Sequence, residues 1–232
     1  MTKPDSNVSR VYAALRRMAA DFELKPDERI NESALSLQLG ASRTPLREAL
    51  NRLVAEGFLT FRSGRGFYCR SLSPALVMEL YEARVAVESE TARLAALKAS
   101  DASLDALLAH VEAGAAEYAA SGDAARLLEM DEAFHLEIAA LSGNSELRRM
   151  VENLNDRVRF IRLMFMKRMI GSGTPQLARL AAHRTIAAAI ASRDGEAAAQ
   201  VMRGHIERRR EDAAEAVRIA YSQLYVPDEE TS

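Results

Sequence analysis

The most constraining feature of this sequence is a succession of long amphipathic stretches after residue 73. Their apolar residues recur at helical spacing, and no strand-like alternation lies between them. Short sequences typical of turns and caps separate them, among them "SGD", "SGN" and "RDG". The pattern predicts an all-helical bundle of about 150 residues, which is large enough to bury its own core. The predicted helices cover residues 74–98, 103–120, 123–142, 145–170, 175–192 and 195–224.

The first 70 residues predict a smaller unit of a different kind. A helical stripe of apolar residues over Val8 to Phe22 is followed by Asn31, which can cap a second helix, and by Ser42, which can cap a third helix that ends at Gly57. The sequences "FLTF" and "FYCR" then predict two strands around the turn "RSGRG". This order predicts a winged helix-turn-helix, in which the last helix enters the major groove of DNA and a β-hairpin, the wing, lies along the backbone.

The charge of the chain is unevenly distributed. The whole sequence carries a net charge of −2, which gives no general indication of a nucleic-acid partner. Residues 43–70, however, hold six Arg and only two Glu, whereas residues 71–232 carry a net charge of −6. A basic patch on an acidic body is typical of a DNA-binding module attached to a unit that does not bind DNA.

The third helix presents four polar residues on the flank opposite its leucines. Two arginines one turn apart repel each other by roughly 0.2 to 0.5 kcal/mol, so their placement suggests an anionic partner. Arg binds guanine edges or phosphates, and Thr and Asn suit phosphates or base edges. A solvated helix face would be the simpler interpretation of one Arg pair alone, but the cap, the turn, the wing and the local charge together favour DNA. The four residues are Arg43, Thr44, Arg47 and Asn51.

The segment "ASRTPLREALNRLVAEGFLTFRSGRGFYC" resembles the DNA-binding signature of the GntR family of bacterial transcriptional regulators. This resemblance implies that the residues matching Arg43, Thr44, Arg47 and the wing glycines Gly64 and Gly66 contact double-stranded operator DNA. To these contacts we add Asn51 and Arg65, the residue between the two glycines. Ser33 departs from the pattern, because some members have a further DNA-contacting Arg there.

Four polar residues fall inside the apolar stripes of the bundle. They are one carboxylate and three of the four histidines of the chain: Asp131, His135, His183 and His205. A buried ionised Asp needs a cation or a metal. Any one of these histidines alone would be better interpreted as a core residue, but the inward orientation of the whole set predicts a metal site. One oxygen and three nitrogen ligands suit zinc first, and also nickel, manganese or iron, rather than calcium.

The C-terminal half carries a second resemblance. The segments "MDEAFHLEIAAL", "LAAHRTIAAAI" and "VMRGHIERR" resemble, in order and spacing, the metal-binding segments of the FCD-type ligand-binding domain of the FadR subgroup of the same family. This resemblance implies a bundle of six or seven helices that binds a small carboxylate effector at the metal, and a homodimer. A homodimer in turn predicts a palindromic operator.

Arg84 lies within an apolar stripe, where a guanidinium needs an anion. One partner is Glu88, four residues later, in a structural ion pair. The other is the carboxylate of a ligand held by the guanidinium fork, as the matching Arg of the family often does. The sequence leaves both interpretations open.

These features predict a mainly α protein with three parts: a DNA-binding domain at 1–70, a linker at 71–74 and an effector-, metal-binding and dimerisation domain at 75–226. The leading hypothesis is a ligand-responsive transcriptional regulator and not an enzyme. The alternatives are a metalloenzyme that activates water and a structural-metal dimerisation domain without effector. No membrane-spanning run or signal peptide is apparent, and Cys69 is the only cysteine, so we expect a cytoplasmic protein.

Overall fold

The computed structural model describes residues 7–173, 177–211 and 213–225. Contacts within the chain divide it into two compact units, Met1–Ser73 and Pro74–Ser232. The predicted end of the second domain, residue 226, lies outside the described residues. No helix among the described residues is both long and apolar enough to cross a membrane.

The N-terminal unit has the order of elements that the sequence predicts for a winged helix-turn-helix. The side chain of Asn31 accepts a hydrogen bond from the amide of Ala34 and so caps the second helix, as predicted. Ser42 occupies the N-cap position of the third helix, as predicted, although its side chain makes no capping hydrogen bond. The elements are α1 (Asn7–Ala20), α2 (Glu32–Gln38), α3 (Arg43–Ala55), β1 (Leu59–Arg62) and β2 (Gly66–Cys69).

The two strands form an antiparallel hairpin in which Leu59 lies opposite Cys69 and Arg62 opposite Gly66. A small core holds this hairpin against the helices, because apolar residues from α1, α3 and both strands are almost fully buried. Its largest members are Leu15, Leu46, Leu50, Leu53, Phe58, Leu59 and Phe67.

The described residues of the C-terminal unit form helices joined by short turns, and no strand lies among them, so the fold class predicted from the sequence is confirmed. The predicted helix 103–120 is divided at Gly114, where a glycine weakens helical propensity. The predicted helix 195–224 is helical over 195–211 and 213–225, on either side of residue 212, which lies outside the described residues. The helices are α4 (Pro74–Lys98), α5 (Asp101–Ala113), α6 (Ala115–Ala120), α7 (Ala124–Leu141), α8 (Ser145–Gly171), α9 (Leu177–Ala191), α10 (Gly195–Glu211) and α11 (Ala213–Tyr225).

Helices α4 and α10 approach each other closely at the start of α10. A Cβ atom on Gly195 would lie 3.0 Å from Cγ and 3.3 Å from the backbone oxygen of Arg93 on α4. Residues of α7, α8 and α9 complete the core, including Leu127, Ile138, Val158 and Ile186, which are fully buried. Polar side chains are also buried here, and six of them form the candidate site described below: Arg84, Glu88, Asp131, His135, His183 and His205.

Candidate metal centre and nucleic-acid interface

Helix α3 separates its apolar and polar residues cleanly. Leu46, Leu50 and Leu53 are fully buried, which leaves the opposite flank on the surface. All four residues predicted on that flank are exposed: Arg43, Thr44, Arg47 and Asn51. This flank of α3 therefore offers two guanidinium groups and two uncharged polar side chains to solvent over its first two and a half turns.

The structure adds Arg29 to this surface. Arg29 lines the same concave surface as Arg43 and Arg47, and its backbone forms an antiparallel bridge with Tyr68 of the wing. Sequence reasoning missed Arg29 because it lies in a connection between helices, where no periodic pattern marks its direction. Glu32 lies 3.6 Å from Arg47 Nε and offsets part of the positive charge.

The tip of the wing depends on glycine. Gly64 and Gly66 have φ angles of +70° and +89°, in the left-handed region that other residues rarely adopt. Arg65, between them, is exposed. The glycines therefore allow a tight turn that holds a basic side chain at the tip of the hairpin.

The four predicted metal ligands lie together in the core of the C-terminal unit. Asp131 and His135 come from α7, His183 from α9 and His205 from α10. One ligand atom from each residue lies within 4.8 Å of all the others, and each residue is at most 4% exposed. The structure thus brings together side chains from three helices that are well separated in sequence. His110, the remaining histidine, lies outside this cluster and pairs with Glu137.

The environment of the cluster fits a divalent transition metal. Nε2 of His135 and Nε2 of His183 are buried, and in the described part of the chain neither has a hydrogen-bond partner. A buried polar atom without a partner costs about 1 to 3 kcal/mol. These atoms lie 3.8 Å and 3.3 Å from the two oxygens of Asp131, so one cation could contact all three residues.

Glu88 on α4 orients one of the histidines. Its Oε2 lies 2.5 Å from Nδ1 of His135, and both side chains are 1% exposed. In metal sites a carboxylate commonly lies beside the ring nitrogen that does not bind the metal and so fixes the orientation of the ring. The contact leaves Nε2 of His135 facing the cluster. From the sequence we expected Glu88 only as a partner for Arg84. The periodicity of one helix shows which side chains face inward, but not which residues of other helices they contact.

The charges of the cluster also suit a cation. Burial alone would raise the pKa of Asp131, but Arg162 and the neighbouring histidines hold it well below its usual range. Burial lowers the pKa of His183 and of His205. The carboxylate is therefore ionised and these imidazoles are neutral, which is the state in which both kinds of group bind metals.

A cavity adjoins the cluster, and its free volume is about 20 Å³. Arg162 donates a hydrogen bond to Asp131 from one side of it. Arg84 also lines the cavity, and its Nε donates to Glu88 Oε1 at 2.6 Å. The structural ion pair considered for Arg84 is therefore present beside the cavity that a ligand would use. Sequence reasoning missed Arg162, Arg179 and Arg209, which complete the polar lining.

Comparison with known proteins places both units in one family. Residues 7–69 match the family model described as bacterial regulatory proteins of the gntR family, and residues 79–208 match the FCD domain. The Nta operon transcriptional regulator of Aminobacter aminovorans is 35% identical over 213 residues, which cover 90% of this chain and 95% of that protein. The HTH-type transcriptional repressor GlaR of Escherichia coli K12 is 30% identical over 198 residues, which cover 84% of this chain and 90% of that protein.

A solved structure shares the fold. Escherichia coli McbR/YncC superposes with a TM-score of 0.66 at 22% identity, covering 94% of this chain and 98% of that one. Both relatives named above are transcriptional regulators, which argues against the metalloenzyme considered from the sequence. The chain belongs to the GntR family of bacterial transcriptional regulators, with an N-terminal GntR DNA-binding domain followed by an FCD domain.

Proposed function

We propose that this regulator changes its affinity for operator DNA when a small carboxylate binds beside a divalent metal ion in the FCD domain. The observation that carries the proposal is the convergence of four buried ligand atoms within 4.8 Å of one another, next to a cavity lined by arginines. Zinc is the first choice for this set of ligands, and nickel, manganese or iron would also suit it. The proposed ligands are Asp131, His135, His183 and His205.

A bound metal would supply positive charge and a coordination position for the carboxylate of the effector. The residues around it have separate roles. Glu88 orients the His135 ring and holds Arg84 in place. Arg84 then offers a guanidinium to the effector carboxylate from the wall of the cavity.

At the other unit, we propose that the exposed flank of α3 and the wing contact the operator. The support is the exposure of these residues and the local excess of arginine. Arg29 joins them because it lines the same concave surface as Arg43 and Arg47. The proposed contacts are Arg29, Arg43, Thr44, Arg47, Asn51, Gly64, Arg65 and Gly66.

Metal analysis with a matched histidine control tests the metal site. The parent protein and the His110→Ala variant should each bind about one transition-metal ion per chain, because His110 lies on the surface. The His205→Ala variant should lose most of its metal, because it lacks one of four ligands. A chelator-treated parent protein that takes up no stoichiometric metal on titration would show that these are ordinary core histidines.

A thermal-shift panel then tests the effector. Carboxylates should stabilise the metal-loaded parent protein by about 2.7 kcal/mol at 100 times their dissociation constant, and the best of them should change operator affinity in a gel-shift titration. A metal-loaded protein that no carboxylate stabilises would favour the alternative, a structural metal that only supports dimerisation.

Arg84→Lys separates the two roles considered for Arg84. Lysine keeps the charge for Glu88 but loses the fork that binds a carboxylate at two points. The variant should fold and bind metal, yet bind the effector more weakly in calorimetry. Unchanged effector affinity would leave Arg84 with the structural role alone.

A further inference from the structure

The cavity beside the metal cluster contains more cationic than anionic groups. Four arginines line it: Arg84, Arg162, Arg179 and Arg209. Two of them have close carboxylate partners, because Arg84 pairs with Glu88 and Arg162 with Asp131. Another carboxylate, Glu132, lies 4.0 Å from Arg162, but it pairs more closely with Arg159.

Arg179 and Arg209 are the two arginines of the cavity without a close carboxylate partner among the described residues. Arg179 on α9 is only 8% exposed, and its one ion-pair contact in the described residues is Asp131 Oδ1 at 3.9 Å. That carboxylate is already hydrogen-bonded to Arg162. Arg209 on α10 is partly buried and makes no hydrogen bond or ion pair within the described part of the chain.

Arg179 and Arg209 both line the same cavity, so two like charges lie together in one largely buried site. A buried cation without a close anion costs free energy that a well-placed partner would recover. The folded protein therefore keeps two arginines in an unfavourable arrangement at the wall of a cavity.

We propose that Arg179 and Arg209 form a second anion subsite, and that the effector is a dicarboxylate or tricarboxylate. One carboxylate lies at the metal and Arg84, and another lies between Arg179 and Arg209, where each guanidinium can donate two hydrogen bonds. This inference rests on the proposed function, in which a carboxylate binds at this site.

The charge of the metal-loaded site supports a multivalent anion. Among the described residues, the four arginines of the cavity pair closely with only two carboxylates, Glu88 and Asp131, and a bound divalent cation would add further positive charge. A monocarboxylate would leave most of this positive charge buried without compensation, whereas a dianion or trianion removes two or three charges at once.

The size of the cavity indicates which side chains must move. Its free volume of about 20 Å³ holds roughly one water molecule, so an organic acid enters only when lining residues shift. Arg84 and Arg162 would have to break close ion pairs to move. Among the described residues, Arg179 has only a long ion-pair contact with Asp131, at 3.9 Å, and Arg209 has none, so these two side chains can turn toward the ligand at lower cost.

Calorimetry on the metal-loaded full-length protein tests the subsite. The probes are propionate, succinate, glutarate and tricarballylate at constant ionic strength. We expect at least one acid with two or three carboxylates to bind about tenfold or more tightly than propionate, because one additional charge-assisted contact is worth that much. Arg179→Met and Arg209→Met should remove this advantage and leave the weak binding of propionate within about threefold of the parent protein.

Two exposed arginines provide controls with the same change in net charge. Arg184 lies on α9 and pairs with Glu112 at the surface, and Arg208 precedes Arg209 on α10 and is exposed. Arg184→Met and Arg208→Met should bind all four acids like the parent protein. Without ligand, Arg179→Met should melt no lower than the parent protein, because it removes a poorly paired buried charge.

Two other results would contradict the second anion subsite. Propionate binding as tightly as the best polycarboxylate, or equal losses in the Arg184→Met and Arg179→Met variants, would overturn the subsite and leave the proposed function intact. If none of the four acids binds the metal-loaded parent protein, both the subsite and the carboxylate effector are wrong.

Discussion

Glu88 is the residue that connects most of the candidate site. It contacts Arg84 at 2.6 Å and His135 at 2.5 Å, and it is 1% exposed. Burial opposes its ionisation, but Arg84 and His135 hold the pKa of Glu88 below its usual range. A single carboxylate therefore neutralises a buried guanidinium and fixes the ring of a proposed metal ligand.

Replacing Glu88 by Gln should destabilise the C-terminal unit by about 2 kcal/mol or more, since removing one partner of a buried ion pair costs about 3 to 5 kcal/mol and Gln retains one acceptor. Urea unfolding measures this loss. The matched control is Glu90→Gln on the same helix, because Glu90 pairs with Arg93 near the surface, where such pairs contribute about 0 to 1 kcal/mol. Equal losses in the two variants would contradict the role assigned to Glu88.

At the residue scale, sequence periodicity predicted which side chains point inward but not which residues they meet. Asp131, His135, His183 and His205 lie in apolar stripes, and the structure buries all four together. The sequence pattern did not identify Arg179 and Arg209 as residues of the site, because their positions relative to Asp131 depend on how three helices pack. Contacts between helices are a property of the tertiary structure, which one helix pattern does not encode.

At the element scale, the pairing of α4 with α10 depends on Gly195. Gly195→Ala should destabilise the protein by about 1 to 3 kcal/mol, as overpacking does, because the new methyl group would meet the backbone of α4. Gly204→Ala on the same helix is the control, since a Cβ there would lie 3.5 Å from the flexible end of the Arg208 side chain. That change should stabilise the helix by about 0.5 to 1 kcal/mol. Thermal unfolding that ranks the variants in the opposite order would exclude this account of the α4–α10 contact.

Helix α3 permits a second prediction at this scale. The double variant Arg43→Ala, Arg47→Ala should lose operator binding, and each Arg that reads a guanine should account for about 1 to 3 kcal/mol. Arg52→Ala is the control on the same helix, because Arg52 lies in its last turn and pairs with Glu56. The measurement is a gel-shift titration, and a double variant that binds like the parent protein would refute the assignment.

Boundaries were less predictable than the elements themselves. The sequence predicts α4 at its observed limits, but it predicts one helix where α5 and α6 stand. Gly114 lies at the division, and its low helical propensity favours an interruption there. An isolated glycine within a helical pattern is nevertheless tolerated, so the sequence alone does not show that the helix is interrupted.

At the scale of the whole molecule, a DNA-binding unit and a helical unit each have a core of their own. We expect two copies of the chain to bind one operator, because a two-fold symmetric dimer presents two identical α3 helices to two related half-sites. Footprinting should show an inverted repeat, and sedimentation should give two chains per DNA duplex. One chain bound to a single, unrepeated site would contradict the homodimer.

The distribution of the proposed ligands along the chain would link the lifetime of the protein to metal binding. They come from α7, α9 and α10, so a cation bound there would close two loops of polypeptide, from 135 to 183 and from 183 to 205. Closing such loops restricts the unfolded chain, and the penalty rises by only about 0.6 kcal/mol for each doubling of loop length. Ligands that are far apart in sequence can therefore be brought to one metal ion at almost the same entropic cost as ligands that are close in sequence. Depletion of the metal would then expose the helical unit to proteolysis, and the abundance of the regulator would follow the supply of the ion.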